Sequence, residues 1–142
     1  MREIKIKQLC VFDNSLIEQV ANLYKQEKFL DENEFNFQSI RRTLKNSFCV
    51  FGAFDGSKLV GIFRALSDGV ADAYLLDLIV DSSCRKRGVA TALCKEIVSF
   101  LHGQNIEWIV CISTPEGYNV HKKIGTAMTG HTPFRFFITE VL

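Results

Sequence analysis

Leu75 to Leu101 reads LLDLIVDSSCRKRGVATALCKEIVSFL. The apolar run to Val80 has the composition of a strand. A polar, basic turn follows from Asp81 to Arg87. Gly88 then opens a pattern with Val89, Leu93, Ile97 and Leu101 at helical spacing. A basic, glycine-bearing turn between a strand and a helix start suits phosphate. The first helical turn presents unpaired N–H groups and the positive end of the dipole. Glycine lets the backbone approach a ligand closely, and Arg85, Lys86 and Arg87 add cationic donors.

Outward from this stretch the chain alternates between strand and helix signals. Ile4 and Ile6 among lysines suggest a first strand. Ser15 with Glu18 reads as a capping box, before a helix whose face carries Leu16, Val20, Leu23 and Tyr24. Phe37, Ile40 and Leu44 mark a second helix. Cys49–Phe54 and Lys58–Ala65 flank Asp55-Gly56, a hairpin signal. Ala71–Val80 is the next strand. After the crossover helix comes a strand over Ile106–Ser113, which implies a parallel pair. Thr114-Pro115 reads as the start of a last helix ending near Gly125. Phe134 to Leu142 reads as a closing strand.

The 142 residues fit one domain, 1–142, and 47% apolar content with twelve phenylalanines argues for a packed core. A formal charge of +1 gives no general pull toward nucleic acid or an anionic membrane, so neither is an expected partner. No stretch is long and apolar enough to span a bilayer. Five cysteines without a C-x-x-C pair, and an N-terminus lacking the run of a signal peptide, point to a cytoplasmic protein. Cys49, Cys94 and Cys111 read as small core residues. The three histidines and five cysteines show no metal spacing.

The spacing Arg85-x-x-Gly88-x-Ala90 resembles the [Q/R]-x-x-G-x-[G/A] signature of the GNAT superfamily of N-acetyltransferases, in the matching strand–turn–helix context. The resemblance covers nearly the whole chain. It implies a mixed α/β fold, β-α-α-β-β-β-α-β-α-β, with a splayed parallel strand pair. It also implies acetyl-CoA as donor. Backbone groups from Arg85 through Lys86, Arg87, Gly88, Val89 and Ala90 would cradle the pyrophosphate, with the Thr91 hydroxyl beside them. Leu78, Ile79 and Val80 would pair with the pantetheine arm as an added strand would. Many such proteins pair, which leaves a homodimer open. The stretch Leu59–Val80 looks like the branch acting on small amines, and the segment Lys28–Gln38 is where such proteins choose their acceptor.

Direct attack by an amine on the thioester raises a proton problem. An alkylamine with a pKa near 10.4 is only about 0.04% neutral at pH 7. The departing thiolate is already a tolerable leaving group, so a base matters more than an acid. Asp77, alternating with Leu75 and Ile79, is the candidate base; Asp68 and Asp72 are weaker ones. The family's last helix often carries tyrosine four residues before glycine, as the acid. Here that position holds His121 and the following phenylalanine is Thr126, so His121 is the candidate acid, with Tyr118 a weaker substitute. Three functions follow: a small-molecule amine N-acetyltransferase, a protein or peptide acetyltransferase, and a non-catalytic acyl-CoA module.

Overall fold

A computed structural model describes residues 3–27 and 36–138. Strands β1 (Ile4–Gln8), β2 (Cys49–Asp55), β3 (Lys58–Ser67), β4 (Asp72–Val80) and β5 (Trp108–Cys111) form one sheet in that spatial order. The first four are antiparallel neighbours, and β5 lies parallel to β4. The helices are α1 (Asn14–Tyr24), α2 (Phe37–Lys45), α3 (Val89–Gly103) and α4 (Tyr118–Lys122).

Alternation along the strands supplies two cores. Cys49, Phe51, Ala53, Phe63 and Ala65 meet Val89, Leu93, Cys94, Ile97 and Leu101 of α3. On the other face Val50, Leu59, Ile62 and Ile79 meet Ile17, Val20, Leu23 and Tyr24 of α1 and Ile40 and Leu44 of α2. The result is a three-layer α/β domain, helices on both faces of a mixed sheet. Gly61 lets α3 approach β3 closely. A Cβ there would lie 3.0 Å from Leu93 Cδ1 and 3.2 Å from Val89 Cγ1.

Several expectations move. Asp13, not Ser15, caps α1, its Oδ1 accepting from Leu16 N at 2.9 Å; aspartate caps as well as serine. Phe37 opens α2 but is 48% exposed. The last helix starts at Tyr118, because the Thr114 hydroxyl accepts from Gly117 N at 3.2 Å in a separate turn. The closing strand is not formed over Phe134–Ile138, where no ladder hydrogen bond runs and Ile138 is 103% exposed. An alternating apolar pattern becomes a strand only beside a partner. Residues 139–142 lie outside the described residues, as do 28–35 of the expected acceptor segment.

Candidate functional site

β4 is bulged. Ile79 pairs with Ile62 and Leu76 with Arg64, so Asp77 and Leu78 stand opposite the single residue Phe63. Asp77 takes up the extra residue at φ +60°, a left-handed conformation that aspartate tolerates better than most side chains. The slip reverses the faces. Leu75 packs in the α3 core and Ile79 in the α1 core, so Asp77 shares a face with Ile79 but not with Leu75. The expected simple alternation fails there.

The bulge falls where β4 and β5 separate. β5 runs beside β4 from Asp72↔Trp108 to Leu75↔Cys111. β4 continues through Val80, and among the described residues nothing of the sheet lies beside Leu76–Val80 on that edge. Alternate peptide groups of this stretch offer hydrogen bonds to an extended ligand.

That free edge leads into the basic turn. Asp81 caps a single 3-10 turn, Ser82–Cys84; its Oδ1 accepts from Ser83 N at 2.9 Å and Ser83 Oγ at 2.6 Å. These bonds, with smaller help from Gln26 and Lys58, bring its carboxyl down to about 2. Lys86 and Gly88 then adopt φ +63° and +76°. Left-handed residues in such a turn gather backbone N–H groups into an anion-binding concavity. Asp13 caps α1 and Asn36 caps α2 through their side chains, whereas α3 begins at Gly88 with no side-chain cap. A Cβ on Gly88 would meet nothing within 4 Å. The start of α3 is therefore open in front and rich in donors.

The three cations differ. Arg85 and Lys86 are exposed. Arg87 is partly buried, its Nη1 4.0 Å from Asp55 Oδ2 and 3.6 Å from Cys84 Sγ, so its side chain serves the turn itself. Ala90 and Thr91 are partly exposed on the first turn of α3, and Val89 is buried beneath it. Leu78 and Val80 are partly buried.

Asp77 is held by two residues that its sequence neighbourhood does not reveal. Arg64 Nε lies 2.7 Å from Oδ2, and Tyr24 donates its O–H to the same oxygen at 2.9 Å. The pair is largely buried, with side chains 12% and 20% exposed for Arg64 and Asp77. Burial first, then the Asp77 charge, push the Tyr24 phenol well above its ordinary range, so it remains a donor.

His121 lies on the other side of the sheet. Its Nδ1 is 4.0 Å from Cys94 Sγ and its ring 6.3 Å from that of Phe63, both in the α3 core. Desolvation lowers its pKa, which keeps the imidazole neutral at pH 7 and works against the expected role as a full proton donor. Burial pushes the Cys94 thiol up to about 12, with Cys111 adding to it, so it is no nucleophile. The two weaker base candidates lie at the other end of β4. Asp68 Oδ1 accepts from the backbone of Val70, Ala71 and Asp72, which lowers its pKa and fixes it in the turn, and Asp72 is exposed at the start of β4. Tyr118 is 47% exposed. Among the described residues no group of three His, Cys, Asp or Glu side chains could hold a metal ion, and no helix is long and apolar enough to cross a membrane.

The uncapped helix start and the opened strand edge thus adjoin: one suits an anion, the other an extended arm. The chain matches the model of the acetyltransferase (GNAT) family over residues 16–125, and it belongs to that family. It is 27% identical over 95 residues to serotonin N-acetyltransferase 2, chloroplastic, of Oryza sativa subsp. japonica, covering 64% of this chain and 48% of that protein. The chain thus spans about half the length of that relative. An aminoglycoside acetyltransferase from an uncultured soil metagenomic sample, in complex with trehalose, has the same fold, with a TM-score of 0.77 at 18% identity over 96% of this chain and 97% of that one. So has a predicted acetyltransferase with acetyl-CoA from Clostridium acetobutylicum, with a TM-score of 0.73 at 15% identity over 94% and 96%.

Proposed function

We propose that this domain transfers an acetyl group from acetyl-CoA to the primary amine of a small molecule. The observation that carries the reading is the continuity of the free β4 edge, Leu76–Val80, with the uncapped start of α3 at Gly88. An acyl-CoA has an amide-bearing arm and a pyrophosphate in that order, and the two features suit them in turn. The backbone N–H groups of Gly88 to Thr91 and the side chains of Arg85 and Lys86 would hold the pyrophosphate. Backbone groups of Leu78–Val80 would hold the arm.

Acetyl-CoA supplies the activated thioester. Asp77 is assigned to take the proton of the incoming ammonium, directly or through water; its hydrogen bonds from Tyr24 and Arg64 fall on Oδ2, and Oδ1 is assigned as the acceptor. His121 is assigned a lesser role, hydrogen bonding the departing sulfur as a neutral imidazole. A small amine is favoured by two relatives whose names specify serotonin and aminoglycosides, both of which carry primary amines.

The test is release of free thiol from acetyl-CoA with serotonin, tyramine, spermidine, kanamycin and a lysine-containing peptide as acceptors. Turnover with one of the small amines supports the reading. Turnover with the peptide alone replaces it by a peptide acetyltransferase, and acetyl-CoA binding with no acceptor at all by an acyl-CoA-binding module.

A further inference from the structure

The end of α1 makes two separate contacts, one to β4 and one to the turn that follows it. Tyr24, the last residue of α1, donates to Asp77 Oδ2 at 2.9 Å. Two residues on, the Gln26 carboxamide bridges the start of the phosphate turn. Its Nε2 donates to Asp81 Oδ2 at 3.3 Å, and its Oε1 accepts from Ser82 N at 3.1 Å. Both partners fix the orientation of that amide, since a carboxylate needs a donor and a peptide N–H an acceptor. Gln26 N also bonds to Leu23 O and Glu27 N to Tyr24 O, so the two side chains leave one hydrogen-bonded helix end.

Between these two points lie Leu78–Val80, within the stretch of β4 that β5 does not flank. A strand that has lost one neighbour and carries a left-handed residue needs holding from outside the sheet. Tyr24 holds the bulge end and Gln26 the turn end.

We propose that Tyr24 and Gln26 are positioning residues with separate duties: Gln26 sets the turn that receives the CoA phosphates, and Tyr24 sets the Asp77 carboxylate. One helix end thereby registers the donor half of the site against the acceptor half. The inference rests on the acetyltransferase reading given above. Its distinguishing feature is that the duties separate, because the contacts are to different residues. Loss of α1 packing alone would move everything together.

The experiment is calorimetric titration of wild type, Gln26→Leu and Tyr24→Phe with acetyl-CoA, followed by steady-state kinetics with the most active amine of the panel. Gln26→Leu is expected to raise Kd and KM for acetyl-CoA about fivefold and to leave kcat at saturation unchanged. Tyr24→Phe is expected to keep Kd within twofold and to lower kcat about tenfold. Parallel changes of Kd in both variants would overturn the proposal, as would a Gln26→Leu Kd within twofold of wild type. Wild-type protein that fails to bind acetyl-CoA overturns the parent reading, and is recognised before any variant is compared. If no amine is turned over, the Kd comparison still decides the assignment of Gln26.

Discussion

Asp77 is the residue to which the proposed chemistry assigns the base. Its carboxylate sits at a β-bulge, partly buried, with a guanidinium and a phenol on one oxygen. If it accepts the amine proton, Asp77→Asn lowers kcat/KM at pH 7 by about 100-fold or more, the usual scale of general base catalysis. A pH–rate profile with a verified amine checks this; unchanged rates at every pH would remove Asp77 from the mechanism. His121→Phe, by contrast, is expected to lower kcat by no more than about threefold, since a neutral imidazole beside an adequate leaving group adds little. Asp81 makes a stability prediction. Its pKa is depressed when folded, to about 2, against about 3.9 unfolded. Its contribution is therefore present above about pH 4 and fades as the pH falls toward 2. Asp81→Asn should cost about 1–2 kcal/mol at pH 7 in urea denaturation, with the gap to wild type closing between pH 4 and pH 2.

The bulge of β4, its separation from β5 and the uncapped start of α3 together define the candidate site. Much of this order was legible. The hairpin at Asp55-Gly56, the two helices between the first strands, and the Val80–Gly88 transition follow from alternation, helical spacing and turn residues. The bulge was not, because a one-residue slip leaves LLDLIV looking like any apolar strand, and the face of Asp77 depends on it. The partners of Asp77 were equally hidden. Tyr24 lies 53 residues away on an apolar helix face, and Arg64 lies 13 residues away on the neighbouring strand. The Arg87 side chain reaches Asp55 and Cys84, and a run of three cations does not say which of them points inward. At this scale Gly61 is the sensitive position. Gly61→Val would press on Leu93 and Val89 and tilt the first turn of α3. It should destabilise by about 1–3 kcal/mol in chemical denaturation and weaken acetyl-CoA binding as well.

At the scale of the molecule, two cores clamp the sheet from opposite sides, and β4 parts from β5 beyond Leu75. Asp77 faces the α1 side and His121 the α3 side, so an acceptor and a donor entering from opposite faces would meet in that gap. The central claim is that the turn from Asp81 to Gly88 and the start of α3 bind the phosphates of an acyl-CoA. A thermal melt of wild type and Gly88→Glu, each with acetyl-CoA, free CoA or ATP, tests it most directly. A carboxylate at Gly88 would stand in the open space before the helix start and repel an anion. The account predicts stabilisation of wild type by both CoA species, about 2.7 kcal/mol at 100 times Kd, little by ATP, and none in the variant. No shift with saturating acetyl-CoA, or an equal shift in Gly88→Glu, would contradict it.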